Sequence, residues 1–161
     1  MNTISRRTNP AANILGAAAR RALALAALLF CAAGAGANDK PYKQFGDTKV
    51  YFSAFNSSFI SPEVASRYNI ARGADKGLIN ISVIVDDLPS GKTADVSGVV
   101  SNIFAQQQTL QFFEVREGDS VYYLAPFNFQ NEDALTFRVR VGIADRPAHA
   151  VTFQRTFYRD R

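Results

Sequence analysis

Leu78-Ile79-Asn80-Ile81-Ser82-Val83-Ile84-Val85 is the stretch on which the fold depends. Ile79, Ile81, Val83 and Val85 fall on one face, with Asn80 and Ser82 between them on the other. Side chains alternate across a strand at every second residue, so this spacing predicts a β-strand with one buried and one polar face. A strand of that kind needs neighbours on either side to be stable.

Upstream, Val50-Tyr51-Phe52-Ser53-Ala54-Phe55-Asn56 is aromatic and β-favouring and reads as the first strand, ending at Asn56-Ser57-Ser58. Asn38 to Gly46 is polar, contains Pro41, and reads as an extended lead-in. Between the two strands, Ser61 to Tyr68 carries helix-start chemistry. Serine caps the first turn, Pro62 suits the first helical position, and Glu63 complements the N-terminal dipole. The predicted helix is under three turns long and holds only by packing Val64 and Tyr68 on the domain. Ala71 to Gly77 is a loop.

Downstream, Asp86 to Gly91 is a loop, and Asp95 to Phe104 follows as a strand with Val96, Val100 and Phe104 at apolar positions. Gln106 to Gln108 reads as a turn. Leu110 to Arg116 and Ser120 to Phe127 flank Glu117-Gly118-Asp119, the glycine-containing connection of a hairpin. Leu135 to Ile143 and Ala150 to Tyr158 form a last pair, joined through Asp145 to Ala148. About seven strands with one short helix predict an all-β, mainly antiparallel, immunoglobulin-like two-sheet sandwich. A small β-barrel is the alternative.

The N-terminus sets the compartment. Arg6, Arg7, Arg20 and Arg21 precede the uncharged run from Ala22 to Ala37, and Ala35-Gly36-Ala37 offers a small-residue cleavage site. Residues 1–37 therefore read as a cleavable signal peptide, and 38–161 as a single domain. The run is too short and alanine-rich for a membrane span. Phe30 before Cys31 argues against a lipoprotein anchor. Asn9 and Pro10 stand where a twin-arginine signal wants large apolar residues, so the general secretory route is expected. The expected location is the periplasm, or full secretion.

Cleavage changes the charge. Four of the 18 Lys and Arg lie in the leader, which leaves 14 against 14 Asp and Glu. A neutral domain lacks the cationic excess that nucleic acid and anionic lipid demand, so neither is an expected partner. The only cysteine leaves with the leader, removing disulfide and thiolate chemistry.

No catalytic residue, metal ligand or cofactor is assigned. His149 is the only histidine and reads as a solvated loop residue; no G-x-S-x-G elbow occurs. Asp86-Asp87 and Glu132-Asp133 lack the alternating ligand spacing of a calcium loop and read as turn charges. Phe112, Phe113, Tyr122, Tyr123, Phe127 and Phe129 place aromatics on both faces of the hairpin, so it is either covered on both sides or a contact surface. Arg155 shares parity with Val151, Phe153 and Phe157, which predicts a bulge or strand end there, since an unpaired buried cation is costly.

Phe55-Asn56-Ser57-Ser58-Phe59, Ser61-Pro62-Glu63-Val64-Ala65 with Tyr68, Ile70 and Arg72, Leu78 to Val83, and Arg116-Glu117-Gly118-Asp119 with Tyr122-Tyr123 together resemble a family of small exported proteobacterial proteins, the domain of unknown function DUF4426. The resemblance covers most of the mature chain and implies a periplasmic single β domain. It brings no activity, cofactor or catalytic residue. Asn56, Arg72 and Asn80 match family-like positions, either as a shared polar site or, as favoured here, as caps of irregular backbone.

The candidate binding residues are Asn56, Arg72, Asn80, Tyr122, Tyr123 and Arg155. The expected function is a non-enzymatic module that binds a protein partner through a sheet edge or the aromatic hairpin. A carrier of small apolar ligands in a phenylalanine-lined pocket is the second reading, and a hydrolase the third.

Overall fold

The computed structural model of the protein describes residues 40–87 and 90–160. The expected leader with Cys31, and Leu88 and Pro89 of the expected loop, lie outside the described residues. Nine strands are present among those described. They are β1 (Tyr42–Phe45), β2 (Thr48–Asn56), β3 (Lys76–Val85), β4 (Asp95–Ser101), β5 (Gln107–Leu110), β6 (Phe113–Glu117), β7 (Ser120–Asn128), β8 (Asp133–Gly142) and β9 (His149–Phe157). A 3-10 turn (Ser57–Phe59) and helix α1 (Pro62–Arg67) follow β2.

The strands form two antiparallel sheets, ordered β1-β2-β3-β7-β6 and β5-β4-β8-β9, so the architecture is the two-sheet sandwich and not the barrel. The deciding stretch lies in β3, which pairs with β2 and β7 (Ile81 faces Phe52 and Tyr123). Val50, Ile79, Ile81 and Val83 are fully buried against Val100, Phe137, Val139, Val141 and Val151 of the other sheet. The β1–β2 and β6–β7 connections are two-residue turns opening on Gly46 (φ 61°) and Gly118 (φ 57°). A positive φ at the first turn position is the hairpin geometry that glycine supplies without strain.

Three sequence expectations change. The lead-in contains an edge strand, β1. The strand expected to reach Phe104 ends at Ser101, and the turn falls at residues 102–106, so Gln107 and Gln108 belong to a strand. In α1, Ser61 caps as expected, its Oγ accepting from the Val64 amide at 3.4 Å. The buried residues of the segment are Ala65 and Ile70, however, whereas Val64 and Tyr68 are half-buried. Among the described residues no helix is long and apolar enough to cross a membrane.

Candidate functional site

The hairpin aromatics are absorbed into the structure. Phe127 meets Phe137 and Phe157 edge-on, each at 5.1 Å, and Phe129 lies 5.0 Å from Phe157. Tyr123 is buried; its hydroxyl donates to Glu114 Oε2 at 2.7 Å and accepts from the Ala94 amide at 2.8 Å. On the other face of the hairpin Val115 and Leu124 are buried, and Tyr68, at the end of α1, donates to Glu117 at 2.7 Å. The hairpin is covered on both sides. Burial holds the Tyr123 phenol above its ordinary pKa, and the Tyr123 hydroxyl, followed by Arg116, holds the Glu114 carboxyl below its own. Tyr123→Phe should therefore move the Glu114 titration upward, toward the ordinary carboxyl value. A carboxyl NMR titration that leaves Glu114 in place would disprove the assignment.

Asn56 and Arg72 serve the chain end. Asn56 Nδ2 donates to the Tyr158 carbonyl and to Asp160 Oδ1, both at 2.9 Å, and Ser58 bonds the other oxygen of Asp160. Arg72 donates to the Ser58 carbonyl at 2.9 Å, and Ser57 Oγ accepts from the Gly73 amide at 3.1 Å. This cluster ties the C-terminus to the β2–α1 loop and uses the polar groups it contains.

Arg155 sits in uninterrupted register between Asp133↔Phe157 and Val141↔His149, so of the two expectations, a bulge or a strand end, there is no bulge and the position is near the strand end. It lies two residues before the end of β9, points inward, and holds its guanidinium 5.7 Å from the Phe157 ring. Burial pushes its pKa below the ordinary value. Among the described residues it has no carboxylate partner. An inward cation on an edge strand opposes pairing with a foreign strand, and this is the role the geometry gives it. His149 is not a loop residue: it opens β9 and stacks on Phe45 at 4.3 Å. Asp86, Asp87 and Glu132 occupy positive-φ turn positions, and Asp87 pairs with Lys49. Among the described residues no group of three His, Cys, Asp or Glu is placed to hold a metal ion.

The outer face of the five-stranded sheet carries a different arrangement. Ser53 stands opposite Asn80, which stands opposite Leu124, while Tyr51 stands between Tyr42 and Ser82 in the next row. Asn80 is only 9% exposed, and its Oδ1 is enclosed without a hydrogen-bond partner. Tyr122 follows on the same face as Leu124, half-buried.

The turn after β4 was missed by strand periodicity. Asn102 Oδ1 accepts from the Phe104 and Gln106 amides at 3.1 and 3.0 Å, while its Nδ2 donates to Gln106 Oε1 at 2.7 Å. The turn so fixed leaves Ile103 74% and Phe104 77% exposed, at the entry to β5. Gln108 holds β5 in place by donating to the Asn128 carbonyl at 2.7 Å and accepting from its amide at 2.9 Å. One sequence signal was available: residues 96–113 contain no charged side chain.

The family described as Domain of unknown function (DUF4426) matches residues 42–160. Among solved structures, a DUF4426 family protein from Pseudomonas aeruginosa PAO1 is 30% identical, with a TM-score of 0.67 over 74% of this chain and 95% of that one. FetP of uropathogenic Escherichia coli strain F11 is 8% identical, with a TM-score of 0.51 over 78% of this chain and 100% of its own. A copper-bound variant of FetP gives 0.50 at the same identity, over 74% and 90%. At that identity the likeness is one of fold. Among curated proteins no relative matches.

Proposed function

The chain belongs to the DUF4426 family, and from that membership and its edge geometry we propose that it is an exported, non-enzymatic binding module that takes up an extended segment of a partner protein along β5. The four edges carry the reading. Strand β6 bears Glu114, Arg116 and Glu117. Strand β1 contains Lys43, which donates to the Thr152 carbonyl of β9 at 3.1 Å, and β9 carries the inward Arg155. Charges of this kind deter strand addition. Strand β5 has no charge and no proline, and it is led in by the exposed Ile103 and Phe104. Alternate residues of an edge strand offer both backbone groups to an incoming chain, and neighbouring side chains select it. A neutral edge beside an apolar tip favours an uncharged segment with a bulky apolar residue.

Export is part of the proposal and rests on the leader chemistry of residues 1–37. The non-enzymatic reading is supported by the structural employment of Asn56, Arg72 and Tyr123. A partner is favoured over an apolar carrier because the phenylalanines suited to line a pocket between the sheets pack on one another.

The test places a photo-crosslinking residue at position 109, or at position 116 or 152 as controls, in protein exported with its leader. A defined adduct is expected from 109 alone. It should fall at least tenfold in a Gln107→Lys background and in Phe104→Asp, while surface changes of this kind shift stability by about 0.5 kcal/mol or less. Absence of an adduct at 109, or an adduct indifferent to these substitutions, would overturn the proposal.

A further inference from the structure

We propose that the turn between β4 and β5 seats the domain on a membrane, with Ile103 and Phe104 entering the interfacial layer of a zwitterionic phospholipid bilayer. Strand addition uses the backbone edge from Gln107 to Leu110, and the bilayer takes the turn before it.

The starting observation is where the exposed apolar side chains fall. Among the described residues the large ones are Phe59, Ile103, Phe104 and Tyr158, each 60% exposed or more. All four stand at one end of the sandwich, just past the ends of β2, β4 and β9. Register and hydrogen bonding join those ends. Ser101 and Phe157 face Thr136 and Asp133 at the start of β8, and Asn56 Nδ2 reaches the Tyr158 carbonyl from the other sheet. Apolar groups gathered on one exposed surface mark a contact, and here they come from three separate segments of chain.

The bonding within the turn points to lipid. Four of the five amides of residues 102–106 are used inside it. Asn102 N–H donates to the Gln106 carbonyl and Ala105 N–H to the Asn102 carbonyl, both at 3.1 Å, while Asn102 Oδ1 accepts from Phe104 and Gln106. A loop that enters a bilayer must satisfy its polar backbone within itself, because hydrocarbon supplies no partners. Strand β5 keeps a free edge for an incoming segment, whereas the turn has little backbone left to offer one. Residues 96–113 hold no charged side chain, so nothing ionic is carried in with Ile103 and Phe104. Tyr158, at the same end, suits the headgroup boundary, with an apolar ring and a hydroxyl that stays in water. The charge of this end selects the kind of lipid. Residues 57–75, 102–106, 129–132 and 158–160, which close it, hold three Arg against four Asp and Glu, so anionic headgroups find no cationic excess there.

Flotation of the exported protein with phosphatidylcholine vesicles tests the proposal. The parent protein should float with the vesicles, and the bound fraction should fall at least tenfold in Ile103→Ser/Phe104→Ser and in Phe104→Asp. Both side chains are exposed, so these variants should keep the urea midpoint of the parent, which separates lost binding from lost folding. Binding should change less than twofold between about 0.05 and about 0.5 M NaCl, and replacing part of the lipid by phosphatidylglycerol should not strengthen it. No flotation of the parent, or equal flotation of the variants, would overturn the proposal. So would loss of binding in high salt or a several-fold gain from phosphatidylglycerol, because attachment would then be ionic. Flotation involves lipid and no partner protein, so its outcome is independent of whether an adduct forms at position 109.

Discussion

Gly77→Ala should cost the domain about 3 kcal/mol or more. A Cβ built on Gly77 would stand 2.2, 2.5 and 2.8 Å from Cζ, Cε2 and Cε1 of Phe127. These are distances that one of the two groups must abandon. Gly77 does not occupy the left-handed region, so the penalty is steric and not conformational. Phe127 has nowhere to retreat: it is 3% exposed and walled by Phe129, Phe137 and Phe157. The backbone of β3 must move instead, and Gly77 is in register with both Asn56 and Phe127. Asn128, the next residue, is the group that Gln108 grips to hold β5. The strain should therefore reduce crosslinking at position 109 as well as stability. Equilibrium unfolding in urea checks the first effect. Phe127→Leu in the Gly77→Ala background should recover part of the loss, giving a non-additive double-mutant cycle. A cost under 1 kcal/mol would show that the ring slides aside and that the contact is not confining.

How far the chain announces this structure depends on which physical term dominates locally. Strand β3 was legible because burial of one face overrides other preferences, and the alternation from Ile79 to Val85 states that face directly. The apolar pattern of β4 continues into Ile103 and Phe104, yet the strand stops, because Asn102 takes the amides of Phe104 and Gln106 with its own carbonyl oxygen. A side chain competing for backbone donors defeats a pattern read from hydrophobicity alone. Strand β1 is four residues long and half charged or polar, so only its pairing with β2 across the Gly46 turn identifies it. Among the candidate residues, Asn80 stood out as the polar residue facing away from a strong apolar stripe. That Ser53 stands opposite it was not legible, because cross-strand register is a long-range property that no local pattern encodes. Asn56 was visible as a candidate, but its partners, Tyr158 and Asp160, lie 102 and 104 residues away in sequence. Arg155 was visible as an anomaly. Its inward direction was correct, and the absent bulge shows that an edge strand tolerates a half-buried cation where its guanidinium can rest on a ring.

Phe137→Ala should cost about 3–5 kcal/mol, because the ring is fully buried and joins the two sheets. It stacks on Phe153 at 4.8 Å and 9°, meets Phe127 edge-on at 5.1 Å and 74°, and reaches Phe157 at 6.2 Å. Phe153 in turn stacks on Phe52 at 4.7 Å, so a series of rings runs from β2 through β9 and β8 to β7, across the interior and back. Removing the middle ring leaves a void whose walls are strands locked in register, with Phe137 itself opposite Val100 and Phe153. Such walls collapse poorly, which places the cost toward the upper end of the range. Phe153→Ala supplies the contrast: that ring is half-buried on the edge strand, and its loss should cost no more than about half as much. A total stability of about 5–15 kcal/mol is typical of single domains, so Phe137→Ala consumes a large share of it, and reduced recovery of folded protein should accompany the shifted urea midpoint. If Phe137→Ala and Phe153→Ala prove equally mild, the rings repack around the void. The interior would then be deformable enough to admit an apolar ligand, and the carrier reading would regain its ground.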